Sequence, residues 1–266
     1  MHTILDQILA NKRSEVERAK RECPLESLEA RAASANPPRD FHAAVSAERG
    51  RPHLIAEVKS ASPSAGVIRD GFDPAETAAA YERGGAAALS VLTDRKFFRG
   101  EPEFIERVKR RVALPVLRKD FLIDLYQIHE SRAIGADAVL LIVEAVGPAL
   151  LPEMLRLAIG MDMTVLLEVY ERESLVRAAE LLDDSMRGAV LLGVNNRNLK
   201  TQEIDLGNTE RLAELVPPGF ALVSESGVKT RGDVERLTRA GARALLIGET
   251  LMRSGDPAAT IRELFE

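Results

Sequence analysis

The sequence predicts an α/β protein, a (β/α)8 TIM barrel with an N-terminal helical extension. Three observations lead there. Eight short apolar runs, at 54–56, 88–92, 115–117, 138–143, 164–167, 189–194, 221–223 and 244–247, are continuous rather than alternating, as strands covered on both faces must be. Each is followed by enough chain for a helix, the rhythm of parallel strands joined by crossovers. Polar residues collect at or just past the carboxyl ends of nearly all the runs, whereas the turns leading into them are mostly Gly-Ala or Leu-Pro. A doubly wound open sheet shares the strand–helix rhythm and is the alternative; the strand count favours closure. A chain of 266 residues, 45% of them hydrophobic, can bury one large core. Residues 1–266 are therefore expected to form a single domain, with residues 1–50 as the extension.

In chain order, Ile4, Leu5, Ile8, Leu9 and Val16 mark one face of a helix, and Pro37-Pro38 breaks the chain before a segment at 40–48. This extension either plugs one end of the barrel or forms a lid over substrate, and the pattern favours the plug. Asp73-Pro74 places a capping carboxylate before a proline at the first helical position, and Thr230 precedes a helix at 231–240. A weak repeat, Gly85-Ala86-Ala87-Ala88, Gly135-Ala136-Asp137-Ala138 and Gly241-Ala242-Arg243-Ala244, leads into three of the strands: glycine ends a helix and alanine allows a close turn into the sheet.

Composition excludes several function classes. The net charge of −5 and pI near 5.6 leave no global basic field for nucleic acid. Cys23 is the single cysteine, so neither an internal disulfide nor a cysteine metal cluster is possible, which fits a reducing compartment. Charges interrupt the apolar positions of residues 1–23, and no stretch approaches the ~20 apolar residues of a membrane span. The expectation is a cytoplasmic protein with no membrane partner. His2, His42, His53 and His129 are scattered without metal-ligand spacing, so no metal is expected. A Gly-x-Ser-x-Gly elbow and a dinucleotide glycine fingerprint are both missing.

The chemistry should lie where the strands end. Candidates are Glu57 and Lys59, Thr93-Asp94, Lys119-Asp120, Glu144, Glu168, Asn195, Ser224-Glu225-Ser226 and Gly248-Glu249. In a barrel these positions converge on one mouth. Glu57 and Lys59 are two apart on a strand and point the same way, as an ion pair or a catalytic pair; burying either alone costs about a few kcal/mol. The same period puts Lys119 with Leu117 on one face and Arg118 with Asp120 on the other, so one of the two adjacent cations enters the barrel. A lysine near carboxylates suits a general acid, and a glutamate in a partly dry pocket suits a base. Ser226-Gly227 and Gly248, after the last two strands, let backbone N–H groups approach an anion, and this fold often binds phosphate there.

Ile55-Ala56-Glu57-Val58-Lys59-Ser60-Ala61-Ser62-Pro63-Ser64 closely resembles the first-strand signature of the indole-3-glycerol-phosphate synthase family. The likeness continues through Leu92-Thr93-Asp94, Phe97-Phe98-Arg99-Gly100 and Leu117-Arg118-Lys119-Asp120-Phe121. It resumes at Leu167-Glu168-Val169, Gly193-Val194-Asn195-Asn196-Arg197-Asn198-Leu199, Ser224-Glu225-Ser226-Gly227 and Ile247-Gly248-Glu249-Thr250-Leu251-Met252. Ile4-Leu5, Lys12-Arg13 and Glu15-Val16 resemble the family's N-terminal helix, so the likeness spans essentially the whole chain.

The resemblance implies a carboxy-lyase of tryptophan biosynthesis that needs no cofactor. Its substrate would be a phosphorylated anthranilate sugar, 1-(2-carboxyphenylamino)-1-deoxyribulose 5-phosphate. By resemblance, Lys119 protonates the substrate carbonyl oxygen, and Glu168 is the base that assists dehydration and stabilises a cationic ring intermediate. Lys59 engages the substrate's anionic groups and acts as acid for the departing hydroxyl, and Glu57 holds that lysine and joins the proton transfers; the division of roles among these four stays open. Asn195 and Glu225 would orient substrate and lysines, while Ser62, Ser226, Gly227, Gly248 and Glu249 would surround the phosphate, Glu249 through its backbone N–H alone. Phe98 and Phe121 would wall the anthranilate ring. Ala61 and Asn196 receive no role. A monomer is expected, with a weak homodimer as the alternative. Phosphoribosylanthranilate isomerase, a sister barrel, would need a cysteine in the first strand, and Cys23 precedes the barrel. A barrel that binds a phosphorylated metabolite without turning it over is the remaining reading.

Overall fold

The computed structural model describes residues 3–63, 66–67, 71–198 and 200–266; His2, Ser64 and Leu199, named above, lie outside them. Among the described residues, eight parallel strands close into a barrel: β1 (His53–Val58), β2 (Ala88–Leu92), β3 (Val116–Lys119), β4 (Ala138–Ile142), β5 (Thr164–Val169), β6 (Val190–Asn195), β7 (Ala221–Glu225) and β8 (Ala244–Ile247). Each pairs with the next, and β8 returns to β1 with Ala56 opposite Ile247. This excludes the open sheet. All eight runs read from the sequence are strands, and the structure lengthens β1 and β3 enough to include Glu57 and Lys119.

Their continuous apolar character has a simple cause. Leu54, Ala56, Val139, Leu141, Val165 and Leu167 face the surrounding helices, whereas Ile55, Leu117, Leu140, Leu166 and Leu191 fill the barrel interior. Both faces are dry, so neither can be polar until the strand reaches the mouth. Asp73 caps the helix Pro74–Gly84 through Ala75 and Glu76 N–H, and Thr230 forms a capping box with Asp233. Gly85, Gly135 and Gly241 of the repeat all adopt left-handed backbone, the conformation that ends a helix.

The extension forms three helices, α1 (Ile4–Glu22), α2 (Leu25–Ser34) and α3 (Phe41–Ser46). The expectation of a plug or a lid resolves into both, on different helices. α3 plugs the amino-terminal end: Phe41 and Val45 are wholly buried with Ala88, Ala138 and Ala244, and His42 N–H donates to Thr164 Oγ1 at the start of β5. α1 lies across the opposite mouth, with Leu5 and Ile8 buried against Phe121 and Ile142. The plug favoured for the first helix is thus corrected. Its apolar stripe meets carboxyl-terminal strand ends, and the shorter helix beyond Pro37-Pro38 fills the base. Tyr126 Oη donates to Ala19 O and Cys23 O at 3.0 and 2.9 Å, and Lys20 pairs with Asp124 at 2.7 Å, fastening the far end of α1. Among the described residues no helix is long and apolar enough to cross a membrane.

Candidate active site

A pocket of about 480 Å³ opens at the carboxyl-terminal mouth, roofed by Ile4, Leu5 and Ile8 of α1. Each residue given a site role from the sequence lines it: Glu57, Lys59, Ser62, Phe98, Lys119, Phe121, Glu168, Asn195, Glu225, Ser226, Gly227, Gly248 and Glu249. They come from seven barrel strands or the loops that follow them, and barrel closure alone brings them together.

The charged centre is built on strand-end registers. Asn195 stands opposite Glu225 across β6–β7, and Glu168 opposite Gly193 across β5–β6. Lys119 Nζ lies 2.9 Å from Glu168 Oε2 and 3.4 Å from Glu225 Oε2, and Asn195 Nδ2 donates to Glu168 Oε1 at 3.0 Å. Glu168 and Glu225 are each 1% exposed. Burial by itself would lower Lys119, but the carboxyls of Glu168, Glu225 and Glu57 outweigh it and hold the ammonium above its ordinary range. Burial would likewise raise Glu168, yet Lys119 and the Asn195 amide keep it below the usual carboxylate value. Glu225 goes the other way: burial, then the neighbouring charge of Glu168, push it well up. Glu168 is thus held toward its ionised form and Glu225 toward its protonated form, on either side of a single ammonium. Across the mouth, Lys59 Nζ pairs with Glu57 Oε2, and Tyr81 Oη donates to the Glu57 carbonyl from behind.

Two glycines make room for these acids. A Cβ on residue 193 would overlap Glu225 Oε1 and come within 3.1 Å of Leu166 Cδ1. A Cβ on residue 248 would overlap Glu57 Oε2 and lie 3.1 Å from Glu57 Cβ. The sequence reading credited Gly248 only with an approach to an anion; its missing side chain also seats Glu57. At the neighbouring turn Ser226 and Gly227 have φ of 70° and 90°, an arrangement costly for serine. Asn196 holds it. This residue is wholly buried, and its Nδ2 donates to Ser226 O at 3.1 Å and to Ser224 Oγ at 3.0 Å. Gly227 and Glu249 N–H have no acceptor among the described residues. The Glu249 carboxylate is held at the rim by Arg253 at 3.0 Å and Arg197 at 3.6 Å.

At the other end Phe98 and Phe121 stand with ring centroids 6.2 Å apart. As the period-two argument requires, Lys119 enters the pocket and Arg118 turns outward. Arg118 is buried between Asp120, Glu130, Thr93 and Ser131.

Some strand-end polar residues serve the frame rather than the pocket. Glu144 Oε1 accepts from the N–H groups of Tyr170 and Glu171. Ser224 faces outward to Asn196 and Thr209. Thr93 bonds Asp120, and Asp94 caps the turn Arg95–Phe98. The pocket cations Arg197, Lys229 and Arg253 went unassigned in the sequence, as did Gly193 and Asn196 behind the lining. A glycine inside a strand run was the available signal for Gly193; the rim cations carried none, since loop cations are common.

The family model described as Indole-3-glycerol phosphate synthase matches residues 5–264. An indole-3-glycerol phosphate synthase of Rhodospirillum rubrum is 48% identical over 266 residues, covering 99% of each chain. One of Polaromonas sp. is 46% identical over 267 residues, covering 100% of this chain and 99% of that one. Among solved structures, a 3-hexulose-6-phosphate synthase aligns with a TM-score of 0.64 at 16% identity, over 80% of this chain and 97% of its own, a likeness of fold alone. Family match and relatives agree over nearly the full length: the chain belongs to the indole-3-glycerol phosphate synthase family.

Proposed function

We propose that this pocket closes and decarboxylates 1-(2-carboxyphenylamino)-1-deoxyribulose 5-phosphate to indole-3-glycerol phosphate, releasing CO2 and water. The anthranilate ring lies along Phe98 and Phe121 beneath α1. The phosphate sits at Ser226-Gly227 and Gly248-Glu249, with Ser62 completing its surround. The sugar carbons then span the charged centre. The carrying observation is that Lys119, between Glu168 and Glu225, lines one pocket with the Phe98–Phe121 pair and with Ser226-Gly227 and Gly248-Glu249.

As the aromatic carbon bearing the carboxylate attacks the sugar carbonyl, Lys119 delivers a proton to the carbonyl oxygen and removes the developing alkoxide charge. Glu168, kept ionised by Lys119 and Asn195, faces the cationic ring that precedes loss of CO2, and then serves as the base for dehydration. Lys59, held by Glu57, meets the substrate's anionic groups and supplies the acid for the departing hydroxyl. Glu225, pushed well above the usual carboxylate range by burial beside Glu168, orients Lys119. Asn195 aligns Glu168. These steps are proton transfers and positioning, so they require no cofactor. The extension and barrel act as one domain, as a monomer in the cytoplasm.

Incubation with the carboxyphenylamino substrate should produce indole fluorescence. Lys119→Ala should lower turnover by at least ~10³-fold, about 4 kcal/mol of barrier, with circular dichroism unchanged. Near-normal turnover in that variant removes Lys119 from the chemistry, and absence of fluorescence with the unaltered chain leaves a binding barrel instead.

A further inference from the structure

Lys12 does not line the pocket, yet it is among the most deeply buried cations of the chain, 4% exposed. It sits on α1 one turn beyond Ile8, so it shares a face with the residues that roof the mouth. Its Nζ lies 2.8 Å from Asp120, 3.1 Å from Asp94 and 2.7 Å from Glu15. Asp94 Oδ1 accepts from Phe97 N–H and so fixes the short turn that ends in Phe98. Asp120 Oδ1 accepts from Phe121 N–H, and Asp120 follows Lys119 directly. One ammonium thus joins the roof helix to both loops that carry the aromatic wall. Among the described residues Lys12 is the cation within ion-pair reach of Asp94, while Asp120 also has Arg118 at 3.3 Å.

We propose that Lys12 is a positioning residue for the aromatic half of the site, clamping α1, Phe98 and Phe121 into the arrangement that receives the substrate's flat ring. The inference rests on the reading of the pocket given above. With Lys12 gone, Asp120 keeps Arg118 but Asp94 becomes a dry carboxylate without its cation beside it, and the loops relieve this by parting. Among the described residues the ion pairs of Lys12 run to Glu15, Asp94 and Asp120, so the glycine turns keep their geometry.

The test is steady-state kinetics on Lys12→Met and Lys12→Arg, with inorganic phosphate as a competing ligand. For Lys12→Met, KM should rise at least ~10-fold while kcat stays within about 3-fold and the phosphate inhibition constant within about 2-fold. Lys12→Arg should recover most of the lost KM. An unchanged KM in Lys12→Met overturns the proposal. So does a phosphate constant that weakens in step with KM, or a failure of arginine to rescue, because either means general loosening. Should Lys12→Met not fold, Asp94→Asn retains the turn cap while removing the ion pair. It should raise KM with phosphate inhibition unchanged, and an unaltered KM there also overturns the clamp. Loss of phosphate competition in the unaltered chain strikes instead at the placement of the phosphate site.

Discussion

Replacing Gly193 by alanine adds one methyl group deep inside the barrel, against the acid that flanks Lys119. The new Cβ would stand closer to Glu225 Oε1 than the 3.0 Å at which something must shift, with Leu166 Cδ1 at 3.1 Å and Glu168 Cα at 3.5 Å on its other sides. The β5–β6 register holds the backbone, so the Glu225 carboxyl has to move. Restoring ordinary contact displaces it by on the order of 1 Å, and misplacements of that size cost about 10²-fold in rate. Overpacking should cost roughly 1–3 kcal/mol of stability, which leaves the fold in place. The assay is kcat from indole fluorescence, read beside thermal unfolding. We expect a kcat drop near 10²-fold (about 3 kcal/mol of barrier) with a lowered but cooperative transition. Unchanged kcat in a cooperatively folded Gly193→Ala chain would refute the argument that Glu225 acts from its observed place.

Inorganic phosphate should compete with substrate, because among the described residues the Gly227 and Glu249 N–H groups have no acceptor; no competition at high phosphate counts against that placement. Asp120→Asn probes the support behind Lys119. Burial would raise Asp120, but Lys12 and Arg118 hold it down at about 2, so its ionised form stabilises the fold above its ordinary value of 3.8 and that gain fades as pH falls through about 2. Urea unfolding should show Asp120→Asn less stable by roughly 2 kcal/mol at pH 7, with the gap closing in acid; a gap independent of pH contradicts the ion-pair origin.

Much of the site was legible because strand geometry is local. Once 115–117 reads as a strand heading for the mouth, the period of two sends Lys119 inward and Arg118 outward. Glu57 and Lys59 follow the same rule and do form a pair. Phe98, Phe121 and Ser62 came from resemblance, and Ser226-Gly227 and Gly248 from where this fold often binds phosphate, since loops have no repeating face. Gly193, Asn196 and Lys12 were passed over for a shared reason: each acts on another residue's position, through a contact with a distant part of the chain. Ser224 and Glu144 were the converse, polar strand-end residues whose partners turned out to be neighbouring loops.

The sequence by itself determined the eight strands, several helix starts, which side of the first and third strands faces inward and the family of the chain, because hydrophobic period and motif spacing depend on residues near one another. Only the tertiary structure decided that α1 roofs the mouth while α3 plugs the base. It alone decided that Lys119 and Asn195 draw Glu168 toward ionisation while burial beside Glu168 pushes Glu225 the other way, and that Gly248 seats Glu57. These properties depend on distances across the barrel between groups far apart in the chain. Charge interactions and steric contact are set by ångströms in space, which spacing along a sequence does not encode.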